Sequence, residues 1–469
     1  MRLSSLAIAA VLSRVATASL QIVPGGTWTT PNGEHLQAHG AGLIVVNGTY
    51  YMVGEDKSGG HSFSNVNCYS STDLVQWTLV GAVLSRTASG DLGPNRVVER
   101  PKVIYNDKTK KYVLWMHMDS SSYGEARVAV ATGDSVCGKY QYIRSFQPLG
   151  RESRDMGLFK DDDGKGYLLT EDVCTSFPDR HREHHLTSQQ RKYGLRIVGL
   201  TDDFLSPTEN VFGWKLDGGA RVEAPAMLKL GKTYFMFASM MTGWDSNENQ
   251  YTTSTSLSSG WSAWKKFADS GSKTYNSQTT YILKTGESSA IYMGDRWLKD
   301  DLMASSYIWL PLSISGTSVT MKNLVSWVPT LNFAAWQQPP AENSYEGEKA
   351  TYGGKTRDVT CSKCSNKIAA GYIGGPDKGT LSFSGIKSDV DGLTTIRIKY
   401  INDDSSPRYA NVRVNGDGGR KVAFLPAKGD PASSTLHVQL KKGSDNTVVF
   451  EGIGTTWGPD VDRLMVPVQ

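Results

Sequence analysis

The sequence predicts an all-β chain, a five-bladed β-propeller followed by a second β-rich module, and three observations carry that prediction. One hairpin sentence, strand, tight Gly/Asn/Asp/Lys turn, strand, is written five times, over 42–55, 99–117, 154–172, 221–239 and 278–296. Counted on Tyr51, Tyr112, Tyr167, Tyr234 and Ile291, the copies recur at intervals of about fifty to seventy residues, which suggests repetition around an axis. Each copy also carries a polar residue eleven to thirteen positions upstream of that mark: His39, Glu99, Asp155, Glu223 and Gln278. In a propeller the innermost strands deliver their starts to one mouth of a central channel, so these five residues are expected to converge there as an active site.

The elements follow in order. Arg2, the apolar run Leu6 to Leu12 and the small residues Ala16 and Ala18 have the shape of a secretory signal over 1–18, so a secreted, extracellular product is expected. The propeller is expected over 19–336, its outer strands rich in Trp and Thr for inter-blade packing. AWQQPPAEN supplies a Pro-rich linker at 337–343, and a further β-rich module occupies 344–469. At 469 residues the chain is too long for one ordinary domain. A hydrophobic content of 39% with 48 glycines fits a turn-rich β protein. A formal charge of +4 without a Lys/Arg block leaves no footprint for nucleic acid, and no later segment is apolar enough to cross a membrane. A monomer is expected.

Five cysteines are an odd count for an oxidising compartment. Cys361 and Cys364 are close enough for a local bridge; Cys68 and Cys137 either pair or stay buried as free thiols; Cys174 is left over. Cys174 lies in 173–190, a polar stretch without strand periodicity that holds three of the eight histidines and lengthens the interval between the third and fourth repeats.

Val222-Glu223-Ala224-Pro225, with HLQAHGAGL, YYMVGEDK, VERPKV, SRDMGLFKDDDG and YMGDRW, resembles family 43 of the glycoside hydrolases, and within it the fungal exo-β-1,3-galactanases. YEGEKA and GPDVDRL in the tail resemble a family 35 carbohydrate-binding module, a β-sandwich of jelly-roll type. The resemblance implies an inverting hydrolase that releases galactose from the β-1,3-galactan backbone of arabinogalactan without a catalytic cofactor. Arabinofuranosidase or xylosidase activity, or a sugar-binding propeller without catalysis, are the alternatives. By motif position Glu223 matches the general acid and Asp155 the carboxylate that tunes its pKa. Most members place an Asp base at the start of the first repeat, where this chain has Gln37 and His39. Gln278 is therefore read as orienting the water and Glu99 as contacting substrate, with Glu55, Tyr123 and Asp295 as further sugar contacts. In the module, Tyr372, Arg408, Asn411, Trp457 and Asp460 are the expected sugar site. Glu346 and Glu348, alternating on one strand face, join Asp462 as ligands of a structural Ca2+.

The galactanase resemblance also gives 173–190 a reading as a retained intron. Val-Cys-Thr can be encoded by GTATGTAC and Leu-Thr by CTGAC, the stretch closes on Gln, and excision joins LLTED to RKYGLRIVGL while removing the unpaired Cys174.

Overall fold

The computed structural model describes residues 19–172, 193–215, 221–330, 336–427 and 429–468. The expected signal and the 173–190 stretch, with Cys174, lie outside them. No described helix is long and apolar enough to cross a membrane.

The described chain is all-β. Five four-stranded antiparallel sheets come first. They are β1 (His39–Val46) to β4 (Thr78–Ser85), with β2 (Thr49–Glu55) and β3 (Asn65–Ser71) between them, and β5 (Arg96–Asn106), β6 (Lys111–Ser120), β7 (Arg127–Gly133) and β8 (Gln141–Phe146). The third holds β9 (Met156–Lys160), β10 (Gly166–Glu171), β11 (Tyr193–Leu200) and β12 (Pro207–Lys215). The fourth holds β13 (Val222–Leu230), β14 (Thr233–Met240), β15 (Gln250–Ser254) and β16 (Lys265–Lys266), and the fifth β17 (Gln278–Lys284), β18 (Ser289–Arg296), β19 (Ser306–Ser315) and β20 (Ser318–Met321). The turns are those the sequence announces. Asn47 and Gly48, at φ of 50° and 77°, close β1 onto β2 as a two-residue hairpin whose twist matches the strands.

The first strands of the sheets neighbour one another in cyclic order, β1 on β5, β5 on β9, β9 on β13, β13 on β17 and β17 on β1. Apolar faces fill the wedges between sheets: Cys68 and Val83 meet Leu114 and Ala129 between the first two, and Trp115 meets Leu168 and Val198 between the next. Trp77, Trp115, Trp309 and Trp327 are among the largest fully buried side chains, as expected of packing residues. Cys68 and Cys137 form a disulfide that ties β3 to the β7–β8 connection, and Cys361 bonds Cys364.

The C-terminal part has a six-stranded and a five-stranded sheet packed across one core, Ile396, Ile398, Leu436 and Leu464 facing Phe383, Val412, Val448 and Phe450. Its opening strand runs Glu342–Glu346 and then turns through a 3-10 segment, Gly347–Lys349. This corrects one expectation: Glu348 sits in that turn, so Glu346 and Glu348 do not share a strand face. Gly347 allows the turn to sit there, since a Cβ would lie 2.4 Å from the Val461 carbonyl oxygen.

An N-terminal strap joins the two parts. Thr27 donates its amide to Ser433 O at 2.8 Å and accepts the Thr435 amide at 3.0 Å, while Thr29 Oγ1 donates to Thr435 O. Ser19 O accepts the Thr395 amide, and Ile22 exchanges backbone hydrogen bonds with Trp327 of the first part.

Candidate active site

The geometry begins with a flaw repeated in the first strands. Register breaks between His39 and Gly42, Glu99 and Lys102, and Glu223 and Ala226. In each case the residue after the polar one is left-handed: Gly40 at 55°, Arg100 at 51° and Ala224 at 54°. A bulge of this kind bends the strand and re-aims a side chain. It also explains the carboxylate-X-proline pattern, because Pro101 and Pro225 cannot donate to a ladder and a bulge is where a strand tolerates them. At position 40 only glycine fits, since a Cβ would lie 2.1 Å from Glu55 Oε1.

Three of the five aligned residues are then tied together through Arg100, together with Glu55. Its Nε lies 2.7 Å from Asp155 Oδ1, its Nη2 donates to Gln278 Oε1 at 2.5 Å, and its backbone amide donates to Glu55 Oε1 at 2.7 Å. Gln278 Nε2 donates in turn to Glu223 Oε1 at 2.9 Å and Ser239 Oγ at 3.1 Å, while Gln278 Oε1 also accepts the Trp297 indole N–H at 2.9 Å. Asp155, Glu171 and Glu223 bring three carboxylate oxygens within 4.8 Å of one another. Burial and then the charge of Asp155 push the Glu223 carboxyl up to about 8, against the pull of Arg100 and the Gln278 bond. Burial, with Glu223 and Asp155 beside it, raises Glu171 well above the carboxylate range as well. Glu223 therefore holds a proton at neutral pH, as a general acid must.

Asp155→Asn tests that coupling. With the neighbouring charge gone Glu223 should ionise more readily, so the alkaline limb of the activity profile, set by loss of the Glu223 proton near pH 8, should move to lower pH. An unmoved limb in the pH–kcat/KM profile would separate Asp155 from Glu223.

Glu99 occupies a different environment. Burial opposes its charge, but Lys57, His117 and Tyr123 outweigh that and hold it well below the usual carboxylate range. Tyr123 Oη donates to Glu99 Oε1 at 2.8 Å, Lys57 Nζ lies 3.3 Å from the same oxygen, and His117 Nδ1 is 3.4 Å from Oε2. Asp119 accepts the other His117 nitrogen at 3.0 Å, and the two acids raise the imidazole to about 9 despite its burial. An anion so well compensated has little affinity for a proton and suits a fixed hydrogen-bond acceptor. Glu55 and Asp295 are buried with internal partners: Glu55 Oε2 lies 2.7 Å from Lys57 Nζ, and Asp295 takes His39 Nδ1 at 3.2 Å and the Gly40 amide at 3.1 Å.

Glu171, Arg100, Lys57 and His117 escaped the sequence reading, which attended to the start of each first strand. For Glu171 and His117 the signal lies in the closing half of the second strand, where polar residues follow the apolar run, as do Glu55 and Asp295, which the family motifs had already supplied. Register sets these opposite the first set: Glu55 against His39, His117 against Glu99, Ser239 against Glu223 and Asp295 against Gln278. The Glu171 amide likewise donates to Asp155 O at 3.0 Å.

In the C-terminal part Tyr372 and Trp457 stand edge to face at 5.6 Å, each 39% exposed. Arg408 Nη1 lies 3.9 Å from Asp460 Oδ1, and Asn411 Nδ2 donates to Glu451 Oε2 at 2.9 Å. Glu346 Oε2 and Glu348 Oε2 are buried without a hydrogen-bond donor, and burial, with Glu346 contributing, raises the Asp462 carboxyl.

A protonated buried carboxyl beside an Arg-clamped aspartate, at the shared edge of five sheets, is the equipment of a glycoside hydrolase. Comparison with known proteins agrees: residues 38–297 match the glycosyl hydrolases family 43, and the chain belongs to that family. Residues 380–466 match the CBM13 domain of alpha-galactosidase, where the sequence reading expected family 35. An exo-β-1,3-galactanase from Phanerochaete chrysosporium, crystallised with β-1,3-galactotriose, is 35% identical with a TM-score of 0.64, covering 95% of this chain and 100% of that one. An exo-β-1,3-galactanase from Clostridium thermocellum is 27% identical with a TM-score of 0.60, covering 90% and 100%. A xylan 1,3-β-xylosidase from Vibrio sp is 31% identical over 113 residues, which are 23% of this chain and 20% of that protein.

Proposed function

We propose that the protein is an inverting exo-β-1,3-galactanase that releases galactose from the β-1,3-galactan backbone of arabinogalactan. The observation that carries the reading is Glu223 raised to about 8 beside the Asp155–Arg100 pair. The match to a galactotriose-binding galactanase over both parts of the chain supports the substrate. In this mechanism Glu223 protonates the departing glycosidic oxygen while Arg100 holds Asp155 in place beside it. Glu99, held ionised, and Tyr123 accept and donate to sugar hydroxyls, and Gln278 orients the attacking water, which gives its proton to solvent as the new C1–O bond forms. Gln278 already makes four hydrogen bonds, so a water bound there replaces one of them. The Vibrio match favours β-1,3-xylosidase as the second reading. Galactose released from β-1,3-galactan, compared with products from β-1,3-xylan and arabinan, decides between them; no release from any of the three would leave a sugar-binding protein without catalysis.

The cyclic contacts of the first strands support closure of the five sheets into a five-bladed propeller, and the shared core of the last two sheets supports a jelly-roll sandwich that binds galactan through Tyr372, Trp457, Arg408, Asn411 and Asp460. Secretion as a monomer completes the reading. The donor-free oxygens of Glu346 and Glu348 with Asp462 offer the hard ligands that Ca2+ takes, although these three are less tightly gathered than the active-site trio. Calcium held there would neutralise the three carboxylates and stabilise the native module by mass action. Chelation should lower the melting temperature and added calcium restore it; an unchanged curve removes the ion.

The retained-intron reading of 173–190 draws support from its flanks, since the Asp172 amide donates to Gly194 O at 2.8 Å and Glu171 pairs with Leu195. Deleting 173–190 leaves Arg191, Lys192 and Tyr193 to close the β10–β11 hairpin, a common loop length. The deletion variant should keep its activity and melt no lower than the full chain. Mature transcripts carrying the coding stretch in most copies would overturn the reading.

A further inference from the structure

The loops that follow the second strand of the first, fourth and fifth sheets each raise one ring at the active-site end. They carry His61 after β2, Trp244 after β14 and Trp297 after β18. The rings form a line: Trp297 and Trp244 meet edge to face at 5.5 Å, and Trp244 and His61 do the same at 5.5 Å. The line starts at the chemistry, because the Trp297 indole N–H donates to Gln278 Oε1, whose amide donates to Glu223. It becomes more solvent-accessible outward, Trp297 and Trp244 being half-buried and His61 exposed. The middle ring is firmly presented. Asn247 accepts the Met240 amide at 3.0 Å and donates to Met240 O at 2.6 Å and Thr242 Oγ1 at 2.8 Å, which closes the loop around Trp244.

Partly exposed indoles cost free energy in water when they cover no core. Among the aromatic contacts of the described residues, Trp244 touches only the two rings on either side. We propose that Trp244, flanked by Trp297 and His61, is a stacking wall for the leaving side of the glycan, the galactosyl unit next beyond the bond that Glu223 protonates. The axial 4-hydroxyl of galactose leaves a continuous C–H surface on the opposite face of the pyranose, and a flat indole with a rigid loop behind it matches that surface at little ordering cost. The direction follows from the chemistry. An exo-acting site ends at the terminal sugar, so a row of rings leading outward from the acid meets the part of the chain that departs.

This inference rests on the galactanase reading, and its test keeps the two apart. Steady-state kinetics on β-1,3-galactotriose, with inhibition by free galactose as the probe of the terminal-sugar site, are compared for the wild type, Trp244→Ala and Trp244→Phe. Trp244→Ala should raise KM for galactotriose about tenfold with kcat within about twofold, the pattern of lost uniform binding. The Ki of galactose should stay unchanged, and Trp244→Phe, which keeps a ring, should recover most of the loss. An unchanged KM in Trp244→Ala overturns the wall, and a galactose Ki that rises in step with KM overturns its placement on the leaving side. Wild-type protein inert on galactotriose but active on another glycan fails the activity reading, and the same measurements on that glycan then decide the wall.

Discussion

Glu223→Gln should lower kcat on β-1,3-galactan by about 10²–10⁴-fold while leaving galactan binding in place. The amide keeps the shape of the acid and its approach to Gln278 Nε2, but it has no proton to give. The size of the loss should depend on the leaving group. A natural galactosyl leaving group needs protonation as its bond breaks and should show the full effect, whereas an activated aryl β-galactoside, whose phenolate departs unaided, should show much less. Kinetics on the two substrates check this, and a variant that hydrolyses galactan at close to the wild-type rate would remove Glu223 from the role. Because the wild-type acid sits near 8, the residual activity of the variant should also lose the alkaline limb that the parent shows there.

Arg100→Met should produce the largest loss of stability, about 3–5 kcal/mol, because removing one partner of a buried pair leaves the other charge uncompensated. Arg100 is 4% exposed and serves Asp155 through Nε, Gln278 through Nη2 and the Thr279 carbonyl through Nη1 at 3.1 Å. Burial works against its charge, yet Asp155, Glu55 and Asp295 hold it above the ordinary guanidinium value. The variant also removes the cation that restrains Glu223, so any surviving activity should extend to higher pH. Arg100→Lys should recover part of the stability and little of the rate, since one ammonium cannot reach Asp155 and Gln278 in the fork geometry that Arg supplies. Thermal denaturation and pH–rate profiles of the two variants check these expectations, and an Arg100→Met protein as stable as the parent would contradict the network.

The hairpins were legible because their turns and apolar runs are local: Asn47-Gly48 specifies its own geometry, and Val222 to Leu230 announces a strand. Glu223 and Gln278 were legible for a related reason, since repetition places the starts of homologous strands at one end. Arg100 was hidden within the same VERP motif that displayed Glu99. Only the bulge, with its left-handed residue, turns these two neighbours so that one serves Asp155 and the other meets Tyr123. Glu171 was hidden by register, because a polar residue closing a second strand looks like an ordinary solvated end until its partner strand is known. Glu348 shows the opposite error: alternation over Glu346 and Glu348 reads as a strand, but the chain turns at Gly347, which packs too close to Val461 for any side chain.

The N-terminal strap sets a timetable for the chain. Thr27 leaves the ribosome early, yet the backbone it bonds belongs to Thr435, 408 residues later. At ordinary synthesis rates of about 5–20 residues per second, Thr27 waits about 20–80 s for that partner. The five sheets can assemble in order during this interval, and Ile22 can pair with Trp327 once the fifth is made, but the bonds of Thr27 and Thr29 wait until the last domain is finished. Any nascent or truncated chain that lacks the end of the protein therefore presents the stretch around Thr27 and Thr29 to proteases and chaperones. The strap's bonds at Thr27 and Thr29 are made by early residues and close last.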